Sequence, residues 1–107
     1  MLCLPHGLEI VGADWFSLRD IEKVFIPNTV RELGDSAFSS CLLLCEVVFE
    51  PGSRLETIGN GCFSSCAIRE ITVPRSVRSI GDVAFGYSNN LHSLTFEEGS
   101  QLTHVGI

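Results

Sequence analysis

The sequence predicts an α/β-type repeat solenoid: a right-handed stack of coils with a parallel β-sheet along one face and turns or short helical turns elsewhere. Three observations lead there. The frame V-x-I-P-x-x-V-x-x-L-G-x-x-A-F-x-x-C-x-x-L, read over residues 24–45 as VFIPNTVRELGDSAFSSCLLLC, returns over 47–68 and again over 71–91. The glycines Gly12, Gly34, Gly59, Gly81 and Gly106 are spaced 22, 25, 22 and 25 apart, and Phe16, Phe38, Phe63 and Phe85 step by 22, 25 and 22. Each copy also carries one short β-branched or aromatic run. Self-similarity at a fixed period of this size is the signature of stacked repeats, each too small to bury its own apolar face.

The alternation of 22 and 25 has a local cause. Short coils leave their strand through proline, at Leu4-Pro5, Ile26-Pro27 and Val73-Pro74. Long coils leave it through Phe49-Glu50-Pro51-Gly52-Ser53 and Phe96-Glu97-Glu98-Gly99-Ser100. The larger unit is therefore a pair of coils with a 47-residue period, as Gly12, Gly59 and Gly106 show.

Taken in order, the coils fall at about 1–23, 24–46, 47–70 and 71–93, with a partial coil over 94–107. The first is a degraded copy, which keeps Leu2, Leu4-Pro5, Leu8, Val11-Gly12, Phe16 and Ile21 but places Trp15 before its phenylalanine. The runs 24–26, 47–49, 71–73 and 94–96 read as strands. Their first and third residues share one face, which directs Val24 and Ile26, and their counterparts in later coils, into the core. Successive strands must be parallel, because each coil returns in the same direction. The V-x-x-I-G segment reads as extended or turn-like, with its glycine expected in a backbone conformation closed to other residues. The A-F-x-x-C piece suits one helical turn, with Asp35 or Asp82 as a cap. The expectation is a single array, cut from a longer solenoid. Its uncovered last strand, with Leu102 and Val105 lacking a neighbour, points to end-to-end self-association.

Composition narrows the class. With 107 residues, 45% of them apolar, the chain is one domain and not a disordered segment. No apolar run approaches a membrane span, and the start, MLCLPHGLEIVG, lacks the basic head and apolar core of a signal peptide. A net charge of -6 argues against non-specific nucleic-acid binding.

These residues resemble the leucine-rich repeats of the BspA-like class, whose frame runs L-x-x-I-x-I-P-x-x-V-x-x-I-G-x-x-A-F-x-x-C. Residues 44–66 and 68–91 match it nearly column for column, and the resemblance covers essentially the whole chain. Cys62 replaces the column alanine and Ser88 the column cysteine. The asparagine of ordinary leucine-rich repeats is absent, its positions holding Thr29, Gly52, Ser76 and Gly99. The resemblance implies a long surface protein of a bacterium or parasitic protist, at the cell surface or secreted, that adheres to a host extracellular or cell-surface protein.

The cysteines and histidines are the residues from which chemistry could be built. Cys41, Cys45, Cys62 and Cys66 spell C-x3-C-x16-C-x3-C, but the register separates them. Cys41 and Cys66 share a column, Cys62 sits in the alanine column and Cys45 on the strand approach, so four thiolates do not converge as zinc requires. They read as small buried core residues. A Cys41–Cys66 disulfide remains compatible with the spacing of neighbouring coils. His6, His92 and His104 fall at different phases of the coil and form no catalytic arrangement. The expectation is no enzyme, no cofactor and no metal.

What is left is the outward side of the strands. Cys3, Phe25, Val48, Thr72 and Thr95 form one outward column, with Lys23, Glu46, Glu70 and Ser93 beside it and Arg69 and His92 next in line. Phe25 beside Val48 makes an apolar patch rimmed by charge, the anatomy of a contact surface. The candidate protein-binding face is therefore Lys23, Phe25, Glu46, Val48, Arg69, Glu70, Thr72, His92, Ser93 and Thr95. Against it stands a structural spacer whose sheet surface carries two scattered hydrophobes.

Overall fold

The computed structural model describes residues 1–106. Each coil contributes two strands. The longer ones are β1 (Leu2–Cys3), β3 (Lys23–Ile26), β5 (Glu46–Phe49), β7 (Glu70–Val73) and β9 (Ser93–Phe96). The second set consists of two-residue strands, β2 (Ile10–Val11), β4 (Glu32–Leu33), β6 (Thr57–Ile58), β8 (Ser79–Ile80) and β10 (His104–Val105). All pairings are parallel, with Val24 opposite Val47 in the front sheet and Leu33 opposite Ile58 in the rear one. The β-branched runs seen in the sequence are the front strands, each beginning one residue earlier than the run. The V-x-x-I-G segments are the rear strands.

The rear sheet runs unbroken in the order β2-β4-β6-β8-β10. The front sheet does not: β1-β3-β5 form one ladder and β7-β9 another, with no strand pairing between β5 and β7. The break falls between the 47-residue pair of coils 24–70 and the pair that begins at residue 71. Within each unit the long corner is stapled to the short one, since Glu50 Oε1 accepts the Asn28 N–H at 2.7 Å and Glu97 Oε1 accepts the Arg75 N–H at 2.8 Å.

The core lies between the two sheets and the turn segments. Phe16, Phe38, Phe63 and Phe85 stack in a row with centroids 5.3, 5.4 and 5.7 Å apart, and Phe38 and Phe63 are wholly buried. Three local expectations are corrected. No helical turn forms around the phenylalanines. Positive φ two residues before each ring (Asp14, Ser36, Gly61, Val83) and two after it (Leu18, Ser40, Ser65, Tyr87) breaks any helix into successive turns. The column glycines do not take left-handed conformations. They are required by close stacking: a Cβ on Gly59 would sit 2.6 Å from the Asp35 nitrogen and the Gly34 carbonyl carbon. Asp35 caps no helix and instead bonds forward to the next coil. Its Oδ1 accepts the Asn60 N–H at 2.8 Å, and Asn60 Oδ1 accepts the Asp82 N–H at 2.8 Å.

Candidate functional site

The register sets the outward side chains in rows. Phe25 lies between Cys3 and Val48, and Lys23 opposite Glu46. Across the break, Glu70 lies opposite Ser93 and Thr72 opposite Thr95. Arg69 and His92 directly precede β7 and β9, joined by the His92 N–H to the Arg69 carbonyl at 3.0 Å. Lys23 Nζ lies 3.3 Å from Glu46 Oε1, and the Thr72 and Thr95 hydroxyls are 2.9 Å apart. The strands thus bring Lys23, Phe25, Glu46, Val48, Glu70, Thr72, Ser93 and Thr95 onto one face, divided by the break into an apolar half and a hydroxyl-lined half, while Arg69 and His92 lie just ahead of it, outside the strands. Phe25 and Val48 are half-buried rather than fully solvent-facing.

No single coil, taken alone, points to the cleft at the break. A groove of about 980 Å³ opens there, with Val47, Phe49, Ile71 and Pro74 along its floor and Glu46, Glu50, Arg69, Glu70, His92 and Glu97 among its rim. Val47 and Phe49 read as core residues, yet both are half-buried where their counterparts Val24, Ile26 and Val73 are shut off from solvent. The missed signal was the 22/25 alternation. A long corner over Glu50-Pro51-Gly52 beside the short Val73-Pro74 corner keeps the two strands from closing, whereas short followed by long pairs well.

The cysteines serve the stack. Cys41, Cys62 and Cys66 are buried free thiols, Cys3 and Cys45 exposed ones, and Cys41 and Cys66 are not bridged. Cys41 Sγ donates to the Phe16 carbonyl at 3.1 Å and Cys66 Sγ to the Phe38 carbonyl at 3.1 Å. Ser88 Oγ donates to the Phe63 carbonyl at 2.9 Å, which explains why serine substitutes in that column. Burial pushes the Cys66 thiol up to about 12 and raises those of Cys41 and Cys62. Thr29 Oγ1 and Ser76 Oγ, at positions of the missing asparagine, donate to the Leu8 and Leu55 carbonyls at 2.8 and 2.6 Å. Among the described residues no three His, Cys, Asp or Glu side chains gather as a metal site, and no helix is long and apolar enough to cross a membrane.

No curated protein matches the chain in sequence. Solved structures do match its fold. The pneumococcal vaccine antigen PcpA superposes with a TM-score of 0.87 at 24% identity, over 97% of this chain and 30% of PcpA. A leucine-rich repeat protein from Bacteroides capillosus superposes with a TM-score of 0.80 at 28% identity, over 90% of this chain and 75% of that one. A leucine-rich cell surface protein from Faecalibacterium prausnitzii gives a TM-score of 0.57 at 20% identity, over 98% of this chain and 43% of its own. The chain therefore spans less than a third of PcpA's length. The family model described as BspA type leucine-rich repeat region matches residues 4–106. With the paired sheets, the phenylalanine row and the cysteine column in place, this chain belongs to the BspA-type leucine-rich repeat family.

Proposed function

We propose that this chain is a non-enzymatic protein-binding module of a cell-surface or secreted protein, and that it adheres to a partner through the outward face of its front strands. The observation that carries the reading is the composition of that face. The half-buried Phe25–Val48 pair stands beside a groove with an apolar floor and a charged rim. Apolar centres surrounded by polar groups are how contact surfaces are built, and solenoids use their extended sheet faces for binding. The names of two proteins of like fold, a vaccine antigen and a cell surface protein, support placing the partner outside the cell.

A structural spacer is the second reading. It is favoured by the way Lys23 with Glu46, and Thr72 with Thr95, satisfy one another instead of facing solvent unpaired. Pull-down from a panel of purified extracellular-matrix proteins separates the two. We expect saturable capture of at least one of them, abolished by Phe25→Glu with Val48→Lys while the far-ultraviolet circular dichroism stays unchanged. Capture by none of the panel, or capture that survives the double substitution, supports the spacer.

A further inference from the structure

The break between β5 and β7 leaves two strand edges without a ladder, and their orientation follows from the bonds on their other sides. On β5, the Glu46 and Glu50 N–H groups donate back to β3 and its approach, at the Glu22 and Ile26 carbonyls (3.4 and 3.0 Å). Main-chain groups alternate sides along a strand, so those of Val47 and Phe49 turn toward the groove. On β7, the Val73 carbonyl accepts the Glu97 N–H at 3.1 Å and the Arg69 carbonyl that of His92 at 3.0 Å. Glu70 and Thr72 therefore turn their N–H and C=O groups toward the groove from the opposite side. The coils are joined at either end of the opening, by the Ala67 N–H to the Leu44 carbonyl at 2.9 Å and by Ser76 Oγ to the Leu55 carbonyl at 2.6 Å. The result is a window in the sheet, with polar main-chain edges on both sides and an apolar floor of Val47, Phe49 and Ile71.

We infer that this window takes an extended, basic segment of a partner protein, held main chain to main chain along the β7 edge. An exposed strand edge is a template for another strand, and side chains pointing alternately into pockets supply selectivity. The window's charge chooses the partner. Four carboxylates (Glu46, Glu50, Glu70, Glu97) face the cations Lys23 and Arg69 and the Arg75 guanidinium paired with Glu97, a net of minus one. Glu46 is committed to Lys23, Glu97 to the Arg75 guanidinium and main-chain N–H, and Glu50 to a main-chain N–H, whereas the Glu70 carboxylate makes no ion pair among the described residues. A lysine or arginine of the incoming segment beside Glu70, with apolar residues directed at the floor, satisfies both features. This inference rests on the protein-binding reading and narrows it to one groove and one class of ligand.

The probe is the peptide Ac-(Lys-Val)3-NH2, titrated into the isotope-labelled 107-residue chain and followed by amide resonances. Saturable shifts are expected at Glu70 and Thr72. A copy of the peptide N-methylated on alternate residues, and Ac-(Glu-Val)3-NH2, are each expected to bind at least about tenfold more weakly, since one loses main-chain donors and the other meets like charge. Thr72→Pro removes one N–H facing the window and none from the β7–β9 ladder, so it should abolish peptide binding. Thr72→Val, which loses only the hydroxyl, should keep it. Equal binding of the N-methylated copy, or shifts confined to residues away from the window, overturns the inference; where Thr72→Pro does not fold, the peptide comparison decides. Matrix-protein capture that survives Thr72→Pro but not Phe25→Glu with Val48→Lys also overturns it, while leaving the protein-binding reading intact.

Discussion

A thiol buried at position 66 keeps its proton far longer than one in an unfolded chain. Cys66 is held protonated up to about 12 by burial, and Cys41 and Cys62 are shifted the same way. In the unfolded chain the same thiols ionise near ~8.5. Between roughly pH 8.5 and 12 the unfolded state therefore releases protons that the folded state retains, so stability falls as pH rises through this window. Urea midpoints measured from pH 7 to 10.5 should decline, and Cys66→Ser should make the decline shallower. Serine fits there because Ser88 already makes the equivalent bond to the Phe63 carbonyl. A slope unaltered by Cys66→Ser would mean that other groups govern the alkaline limb. At the same scale, Phe63 is wholly buried between two stacked rings. Phe63→Ala should cost about 3–5 kcal/mol, read as a collapse of the urea transition; a loss under 1 kcal/mol would contradict its place in the core.

At the scale of strands, hydrogen exchange should separate alternate residues of β7. The Ile71 and Val73 N–H groups face the β9 ladder, whereas those of Glu70 and Thr72 face the window. Exchange of Glu70 and Thr72 in the free chain should be faster by at least an order of magnitude, because protection follows ladder bonding. Equal protection along β7 would show that β5 and β7 pair in solution. How much of this was legible in the sequence depends on what each residue encodes. Val24, Ile26, Ile71 and Val73 announced inward-facing strands, because alternation along a strand is a period of two written in residue type. Phe38 and Phe63 announced the buried row, because nothing but a stack repeats an aromatic at that spacing. Eight of the ten face residues were placed by the same alternation, whereas Arg69 and His92 sit one position ahead of their strands. The window was not readable from any one coil, since it arises from the mismatch of two corners that each look ordinary alone, and only the 22/25 alternation records it. The left-handed turns at Leu18, Val83 and Tyr87 were hidden for another reason: these side chains disfavour the conformation, which the surrounding coils impose.

At the largest scale, the last described coil is the least covered. Leu94, Phe96 and Val105 are 41%, 42% and 57% exposed, while Ile71, Val73 and Ile80 in the preceding coil are 4%, 1% and 3%. The isolated 107-residue chain is expected to self-associate through this apolar end. Light scattering over a concentration series should show molecular mass rising with concentration, and a strict monomer at millimolar chain would exclude it. The unequal sheets have a mechanical meaning as well. The rear ladder is fastened at every coil, while the front one is unfastened once, so the molecule resembles a bound booklet that falls open at one page. Bending that spreads the front costs hydrogen bonds everywhere except between residues 47–49 and 70–73. Changes of curvature that spread the front therefore concentrate at that joint, hinged on the intact rear ladder between β6 and β8. In an array built on the same 47-residue unit the joint recurs at every second coil, which makes the array compliant at regular intervals and stiff between them.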